Sequence, residues 1–332
     1  MNALESPTPP LVSIGLPVRN GEHYLEAAID SILSQDLADL ELIIGDNASS
    51  DRTAAICEAY AARDPRVRYR RNARDLGAGP NYDLCFHRAR GTFFKWAAHD
   101  DCLAPGYLRK TVAALQAAPD AVLCTTGTAE IDAQGAVLRR YVNRFPGIGS
   151  ADPAQRLGAV IHTRHQCEDF FGLFRRQALL GSGLHDIYSG SDRVLLAEMA
   201  IRGRWVTVEE PLFLHREHAG RYTRAVLLKD RLQAQLWQDT TGAARRRRST
   251  QFHLTVYRKY LEVVRRNLPP GPVRLACYGE LARWWLTDGH AADVLRDALA
   301  DYPTVRQALR AAKHRLVGAG QEPVPGSLPD LS

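Results

Sequence analysis

The feature that most constrains this chain is the regular alternation of its first 127 residues. Short apolar runs stand at LVSIGLPV (11–18), LELIIGD (40–46), RVRYRRN (66–72), TFFKWAA (92–98) and AVLCTTG (121–127). Between them lie segments of helical character: YLEAAIDSILSQ (24–35), DRTAAICEAYAARD (51–64), PNYDLCFHRAR (80–90) and APGYLRKTVAALQAA (104–118). In the first of these, Leu25, Ile29, Ile32 and Leu33 recur at helical spacing. A strand–helix–strand order of this kind predicts an α/β fold with a mostly parallel sheet and helices on its faces. In such sheets ligands gather beyond the carboxyl ends of the strands. Three of those ends are polar: Pro17-Val18-Arg19-Asn20, Asp46-Asn47-Ala48-Ser49 and His99-Asp100-Asp101.

Beyond this repeat the pattern loosens. EIDAQGAVLRRY predicts a hairpin around Gln134-Gly135, followed by a helix over 152–161, a strand over 169–176 and a helix over 192–203. A pair of strands is expected in WVTVEEPLFLHRE. From about 221 the chain reads as helical, broken by NLPPGP (267–272), and its Gly/Pro-rich end is expected to be disordered. The expected divisions are a tail (1–10), a ligand-binding part (11–127), a second part of the same domain (128–221), a helical region (222–316) and a tail (317–332).

Hydrophobic residues make up 45% of the chain and charged residues 24%, the balance of a globular protein. No apolar run reaches the roughly 18 residues of a membrane span, and MNALESPTPP lacks a signal-peptide pattern. The expected location is therefore the cytoplasm, with peripheral contact at the inner face of the membrane as an open alternative. Six scattered cysteines without CxxC spacing read as reduced thiols. The net charge is +6, with much of the excess in AARRRRST (243–250) and VVRRN. That balance suits an anionic partner such as a phosphorylated substrate or an anionic lipid surface. Few aromatics interleave with Arg245–Arg248, so nucleic acid is not expected; a solvated helix face explains the run equally well.

The strand-end residues carry the chemistry. In GDNASSDRT (45–53), Asp51 suits the start of a helix, and Asn47 and Ser49 suit a tight polar loop. A carboxylate such as Asp46 can accept hydrogen bonds from a nucleobase or a ribose. Asp100 and Asp101 end an apolar run, where unpaired charge is costly. A hard cation such as Mg²⁺ or Mn²⁺ binds one or two carboxylates together with substrate phosphates, and this pair supplies them. Asp101 has a second reading, as the cap of the helix that begins near Pro105.

Three stretches, VSIGLPVRNGEHYLEAAIDSILSQ, LIIGDNASSDRT and RNARDLGAGPNYDLCFHRARGTFFKWAAHDDCLAPGYL, in this order and spacing, resemble the nucleotide-sugar domain of family 2 glycosyltransferases. The resemblance covers about 11–220. It implies the GT-A (Rossmann-like) fold, here with a helical C-terminal extension, and an inverting, metal-assisted transfer from a UDP- or dTDP-sugar. The family's DDGSTD loop stands here as DNASSD.

The resemblance implies roles for particular residues. Pro17, Val18, Arg19, Asn20 and Asn47 would line the donor pocket, Asp46 would contact the base, and Arg74 (or Arg71) would reach the base or a phosphate. The family's Asp-x-Asp metal motif, aligned on the final DD, meets Ala98-His99-Asp100-Asp101, so metal binding passes to Asp100 alone. His99 would be a ligand or a ring packed nearby. Asp192, opening a helix where the family has a Glu-Asp pair, would be the general base, with Ser191 in place of the Glu. Glu168-Asp169 precedes the strand and would face the acceptor. In LFLHREHAGRYTR, His218 would join Asp100 at the metal, and Arg216 and Arg221 would stabilise the leaving diphosphate.

The acceptor is left open among a small molecule, a glycan and a lipid-linked sugar. Aromatics at helical spacing late in the chain (Trp237, Tyr257, Tyr260, Tyr278, Trp284, Trp285) fit core or dimer contacts, and a basic amphipathic helix could dock on a membrane. Two other readings remain: a nucleotidyltransferase of similar fold, which would usually carry a Gly-rich basic loop near its start, and a non-catalytic nucleotide-sugar-binding protein.

Overall fold

A computed structural model describes residues 8–221, 252–287 and 289–299. Trp237, Arg245–Arg248 and the tail at 317–332 lie outside these residues. The first half alternates as expected: β1 (Val12–Val18), α1 (Leu25–Leu33), β2 (Leu40–Asp46), α2 (Thr53–Arg63), β3 (Val67–Arg71), α3 (Ala78–His87) and β4 (Phe93–Trp96). Then come β5 (Cys102–Leu103), α4 (Tyr107–Ala117), β6 (Ala121–Ile131), β7 (Val137–Tyr141), α5 (Pro153–Ile161), β8 (Leu173–Arg175), α6 (Arg176–Leu179), α7 (Ser191–Arg202) and β9 (Arg204–Arg216). Three helices follow: α8 (Phe252–Asn267), α9 (Pro272–Leu286) and α10 (His290–Leu299).

The strands form one sheet in the order β3-β2-β1-β4-β8-β6-β9-β5, with β7 paired to β6. The pairs β3–β2, β2–β1, β1–β4 and β6–β9 are parallel, whereas β8 runs antiparallel to both its neighbours. The chain winds outward from β1 to β3, then returns through α3 to place β4 on the other side of β1. That reversal opens a crevice at the carboxyl ends of β1 and β4.

Successive strand residues face opposite sides, and the core follows suit. Leu42 and Ile44 pack with α1, α2 and α4, while Ile43, Phe94 and Trp96 pack with α3, α5, α7 and the C-terminal helices. Close approach of α3 depends on two glycines. A Cβ on Gly15 would stand 2.8 Å from Cys85 Cβ, and one on Gly45 would stand 2.8 Å from Cys85 Sγ. This approach sets Asn81 and Tyr82 of α3 beneath the strand ends. Helices α8–α10 share the same core, with Tyr260 and Trp284 buried in it. On α7, the buried Glu198 accepts from Arg202 at 2.8 Å and from Asn267 Nδ2 at 3.0 Å, and it also binds Arg266, tying α8 to the sheet domain.

Two expectations are corrected. The expected pair in 205–217 is one continuous strand, β9 (Arg204–Arg216), which absorbs its irregularity as register shifts against β6 around Gly127. The expected strand at 169–176 is a 3-10 turn (Glu168–Phe171), the three-residue β8 and the short α6. The left-handed Cys167 (φ 65°) turns the chain there before extended structure can begin.

Lys95 in β4 is fully buried. Its Nζ donates to Phe171 O at 2.7 Å and to Trp96 O at 2.9 Å, and it lies 5.0 Å from the Tyr107 ring centroid. Burial pushes its amine down to about 7, only partly opposed by Asp101. The unfolded chain therefore binds more protons than the folded one between pH 7 and the ordinary lysine value, and stability must rise with pH across that window, by at most about 1.4 kcal/mol per pH unit. Thermal unfolding from pH 6.5 to 9.5 should show this rise relative to Lys95→Met. Parallel pH curves for the two proteins would contradict it.

Candidate active site

The carboxyl edge of the sheet is bound together by its own polar loops. Val18 pairs with Asp46 and Asp46 with Arg71, so three strands end level. Asn20 N–H donates to Ser49 Oγ (3.0 Å), Gly21 N–H to Thr53 Oγ1 (2.9 Å) and Ser50 N–H to Asn20 Oδ1 (2.9 Å). Asp51 accepts from Thr53 N–H at 3.0 Å but stands one residue before the helix, whose N-cap is Arg52 with no side-chain cap. Asn20 and Ala48 hold left-handed backbone (φ 52° and 58°), which strains a residue with a Cβ. Ala48 occupies the position where the DDGSTD pattern has glycine.

Asp46 has no accessible surface. Its Oδ1 accepts from Ser49 N–H (2.8 Å), while Oδ2 accepts from Tyr69 Oη (2.9 Å) and faces Arg71 Nε (3.3 Å). It therefore organises this wall of strand-end loops from within. Asn47 is buried as well: its amide donates to Asp75 (2.6 Å) and accepts from Leu76 N–H (3.0 Å), pinning the loop before α3. Arg19 reaches Asp75 from the other side at 3.1 Å. Pro17 and Val18 are buried beneath this wall, whereas Arg19, Asn20 and Arg74 are exposed at its rim. Tyr69 carried no role in the sequence reading, yet strand alternation places it on the Arg71 side of β3, and that spacing was available in RVRYRR.

After β4 the chain separates its two carboxylates. Asp100 Oδ2 lies 3.0 Å from His218 Nε2, and the His218 ring sits 4.7 Å from that of Tyr24. Asp101 turns inward instead: its Oδ1 accepts from Arg216 N–H at 2.8 Å, and its Oδ2 is buried without a hydrogen bond. Asp101 does not cap α4, which opens on the left-handed Gly106 with no side-chain cap. Burial disfavours charge on both carboxylates. Asp100 is nonetheless held below the usual carboxylate range by His99, His218 and Arg221, whereas Asp101, beside the charge of Asp100, is pushed up. The half-buried His99 packs over Gly21, where its Cδ2 would stand 2.7 Å from an added Cβ.

Arg216 does not present its guanidinium to the cleft. The side chain is buried, and it donates to Asp100 O (2.9 Å) and to Asp132 O and Ala133 O (3.2 Å each). The expected contact with a diphosphate is thus replaced by a clamp that joins β9, the β6–β7 hairpin and the Asp100 backbone. Arg221 packs beside it, bonding Arg216 O and lying 3.8 Å from Asp101 Oδ1.

Glu168 and Asp169 are buried in the 3-10 turn, bound by Tyr141 Oη (3.0 Å to Glu168) and Asn143 Nδ2 (2.7 Å to Asp169). Burial, aided by Glu168, pushes Asp169 up to about 7. The pair borders a small cleft with Thr125, Thr128 and Phe213. Asp192 is the second residue of α7 and half-buried. Its Oδ1 accepts from Arg193 N–H at 2.7 Å, and among the described residues its Oδ2 has no hydrogen-bond partner. Asp192 shares an electrostatic neighbour with the Asp100–Asp101 pair: all three charges bear on the hydroxyl of Tyr82.

Glycosyl transferase family 2 is the sequence family that matches, over residues 13–179, just over half of the chain. The chain belongs to that family. The uncharacterized glycosyltransferase EpsJ of Bacillus subtilis is 37% identical over 116 residues, covering 35% of this chain and 33% of that protein. The GalNAc(5)-diNAcBac-PP-undecaprenol beta-1,3-glucosyltransferase of Campylobacter jejuni is 25% identical over 210 residues, 62% of this chain and 63% of that one. The chain thus spans about a third of the first relative's length and less than two thirds of the second's. Among solved structures, S. aureus TarS in complex with UDP superposes with a TM-score of 0.58 at 14% identity, covering 84% of this chain and 72% of that chain. The mannosyltransferase PcManGT of Pyrobaculum calidifontis, in complex with GDP-Man and Mn2+, gives 0.54 at 16% identity, covering 95% and 82%. At these identities the likeness establishes the GT-A fold of this family 2 member.

Among the described residues no three His, Cys, Asp or Glu side chains converge as a metal cluster. The donor set still fits a divalent cation that takes most of its ligands from phosphate and water. Asp100 and His218 meet at 3.0 Å, and the orphaned Asp101 Oδ2 lies buried behind them. Ala98 supplies nothing where the family's first carboxylate would stand. Among the described residues, no helix is long and apolar enough to cross a membrane.

Proposed function

We propose that this family 2 member transfers a sugar from a nucleoside diphosphate donor to an acceptor hydroxyl, with inversion at the anomeric carbon. The observation that carries the reading is the placement of Asp100, paired with His218, at the β1–β4 crevice. The names of the fold relatives support the donor class, since they record UDP and GDP-Man complexes.

In this reading the wall built by Asp46, Asn47, Tyr69 and Arg71 receives the nucleoside. Asp46, with both oxygens taken, acts through Tyr69, Arg71 and its loop rather than by touching the base. Arg19 and Arg74 stand at the rim, where they can meet a ribose or a phosphate. Asp100 and His218 would hold Mg²⁺ or Mn²⁺, which when bound neutralises charge on the departing diphosphate. Asp192 Oδ2 takes the proton of the acceptor hydroxyl. The acceptor oxygen forms the new bond to the anomeric carbon, and the electron pair of the breaking C–O bond leaves with the diphosphate. Glu168 and Asp169 face the acceptor side, with Asp169 suited by its burial to donate a hydrogen bond as a neutral acid.

A thermal-shift panel tests the donor class. UDP, dTDP, GDP and their sugar conjugates, each with and without Mn²⁺, should include at least one nucleotide that raises the melting temperature, and more so with Mn²⁺. No shift with any of them would reject the reading.

A further inference from the structure

Tyr82 is a side chain that the reaction as described does not use. It lies in α3, directly after Asn81, whose amide donates to Gly45 O (2.7 Å) and whose Oδ1 accepts from Asn72 (3.0 Å). Asn81 thereby fixes this turn of α3 to the nucleoside wall. The Tyr82 backbone carbonyl accepts from the Trp96 indole N–H at 3.1 Å, which ties it to β4 just before the Asp100 turn. Its ring is stacked on His185 (centroids 4.6 Å apart) and tilted against Phe170 (5.9 Å). His185 is held in turn: its N–H donates to Asp83 (2.9 Å), and its Nδ1 lies 3.3 Å from Ser191 Oγ, one residue before Asp192.

The ring is therefore packed by two aromatic neighbours and its backbone is tied to β4, yet among the described residues the hydroxyl has no hydrogen-bond partner. A half-buried phenol that is held rigidly and left unpaired is ready for a ligand. Burial, and then the charges of Asp100, Asp101 and Asp192, hold this phenol well above its usual value, so it stays protonated and donates. Its place matters as much as its chemistry. An in-line displacement runs from the nucleoside wall through the diphosphate at Asp100 to the anomeric carbon and then to the base. A group tied to β4 just before the Asp100 turn and, through His185, to Ser191 beside Asp192 stands beside the sugar.

We infer that the Tyr82 hydroxyl donates a hydrogen bond to a hydroxyl or ring oxygen of the transferred sugar and helps to select the donor. This inference rests on the nucleotide-sugar reading above. The test is calorimetric titration of the full chain and of Tyr82→Phe, with Mn²⁺, using UDP against UDP-N-acetylglucosamine and GDP against GDP-mannose. The Phe variant loses one oxygen and keeps the ring stack. For whichever pair the parent protein binds, Tyr82→Phe should leave the nucleoside diphosphate affinity within about twofold and weaken the sugar conjugate by about three- to tenfold. Equal weakening of both ligands would make Tyr82 a structural residue and overturn the inference, as would unchanged affinity for both. dTDP against its sugar conjugate is the third pair, and if the parent binds none of the three pairs the nucleotide-sugar reading itself fails and the role of Tyr82 falls with it.

Discussion

Asp192→Asn is expected to lower the rate of sugar transfer by about 10²–10⁴-fold, the usual contribution of a positioned general base. The substitution keeps the size and the acceptor oxygen that binds Arg193 N–H, so α7 should start as before. What it removes is the basic oxygen at Oδ2. Donor affinity should change by no more than about twofold, because a base acts on the acceptor proton in the transition state and not on bound donor. Initial rates of nucleoside diphosphate release, together with donor titration on the same preparation, check both parts. Turnover that survives in Asp192→Asn would move the base elsewhere, and Asp169 would be the first residue to test.

Asp100→Ala should be as damaging, by a different route. Loss of the carboxylate leaves His218 without its 3.0 Å partner and removes a negative charge from the point where a cation and the diphosphate would meet. Loss of charge stabilisation of several kcal/mol corresponds to a fall in turnover of roughly 10²–10³-fold or more. A readout independent of activity is the Mn²⁺-dependent part of the nucleotide thermal shift, which should vanish in Asp100→Ala. A Mn²⁺-dependent shift that persists in Asp100→Ala would remove Asp100 from the cation site.

Much of the sheet was legible in the sequence because its strands are short apolar runs closed by turns. LELIIGD ends where β2 ends, and the helices beside it keep helical spacing. The strand ends were legible for the same reason: a polar residue directly after a buried run has few places to go. Legibility failed where local pattern and tertiary pairing part company. The apolar and polar residues of 204–216 suggest two strands, but pairing with β6 keeps them in one, with its irregularities taken up by shifts of register. Asp46 reads as a ligand contact because a strand-end carboxylate can be one. In the folded chain, Tyr69 and Arg71 arrive from β3 and occupy it.

The sequence by itself determined the alternating α/β frame, the sheet edge that carries the candidate site, and the residue types gathered there. It determined these because periodicity and turn chemistry act over a handful of residues, and the frame is built from such segments. The division of labour between Asp100 and Asp101 was decided only by the tertiary structure. Two neighbours of identical chemistry part because His218 reaches one and the Arg216 backbone reaches the other, from more than a hundred residues along the chain. The same holds for Arg216, whose charge suggested a phosphate contact until the carbonyls of Asp100, Asp132 and Ala133 converged on it. Pairings that distant leave no local periodicity, so burial and the geometry of the folded chain assign the partners.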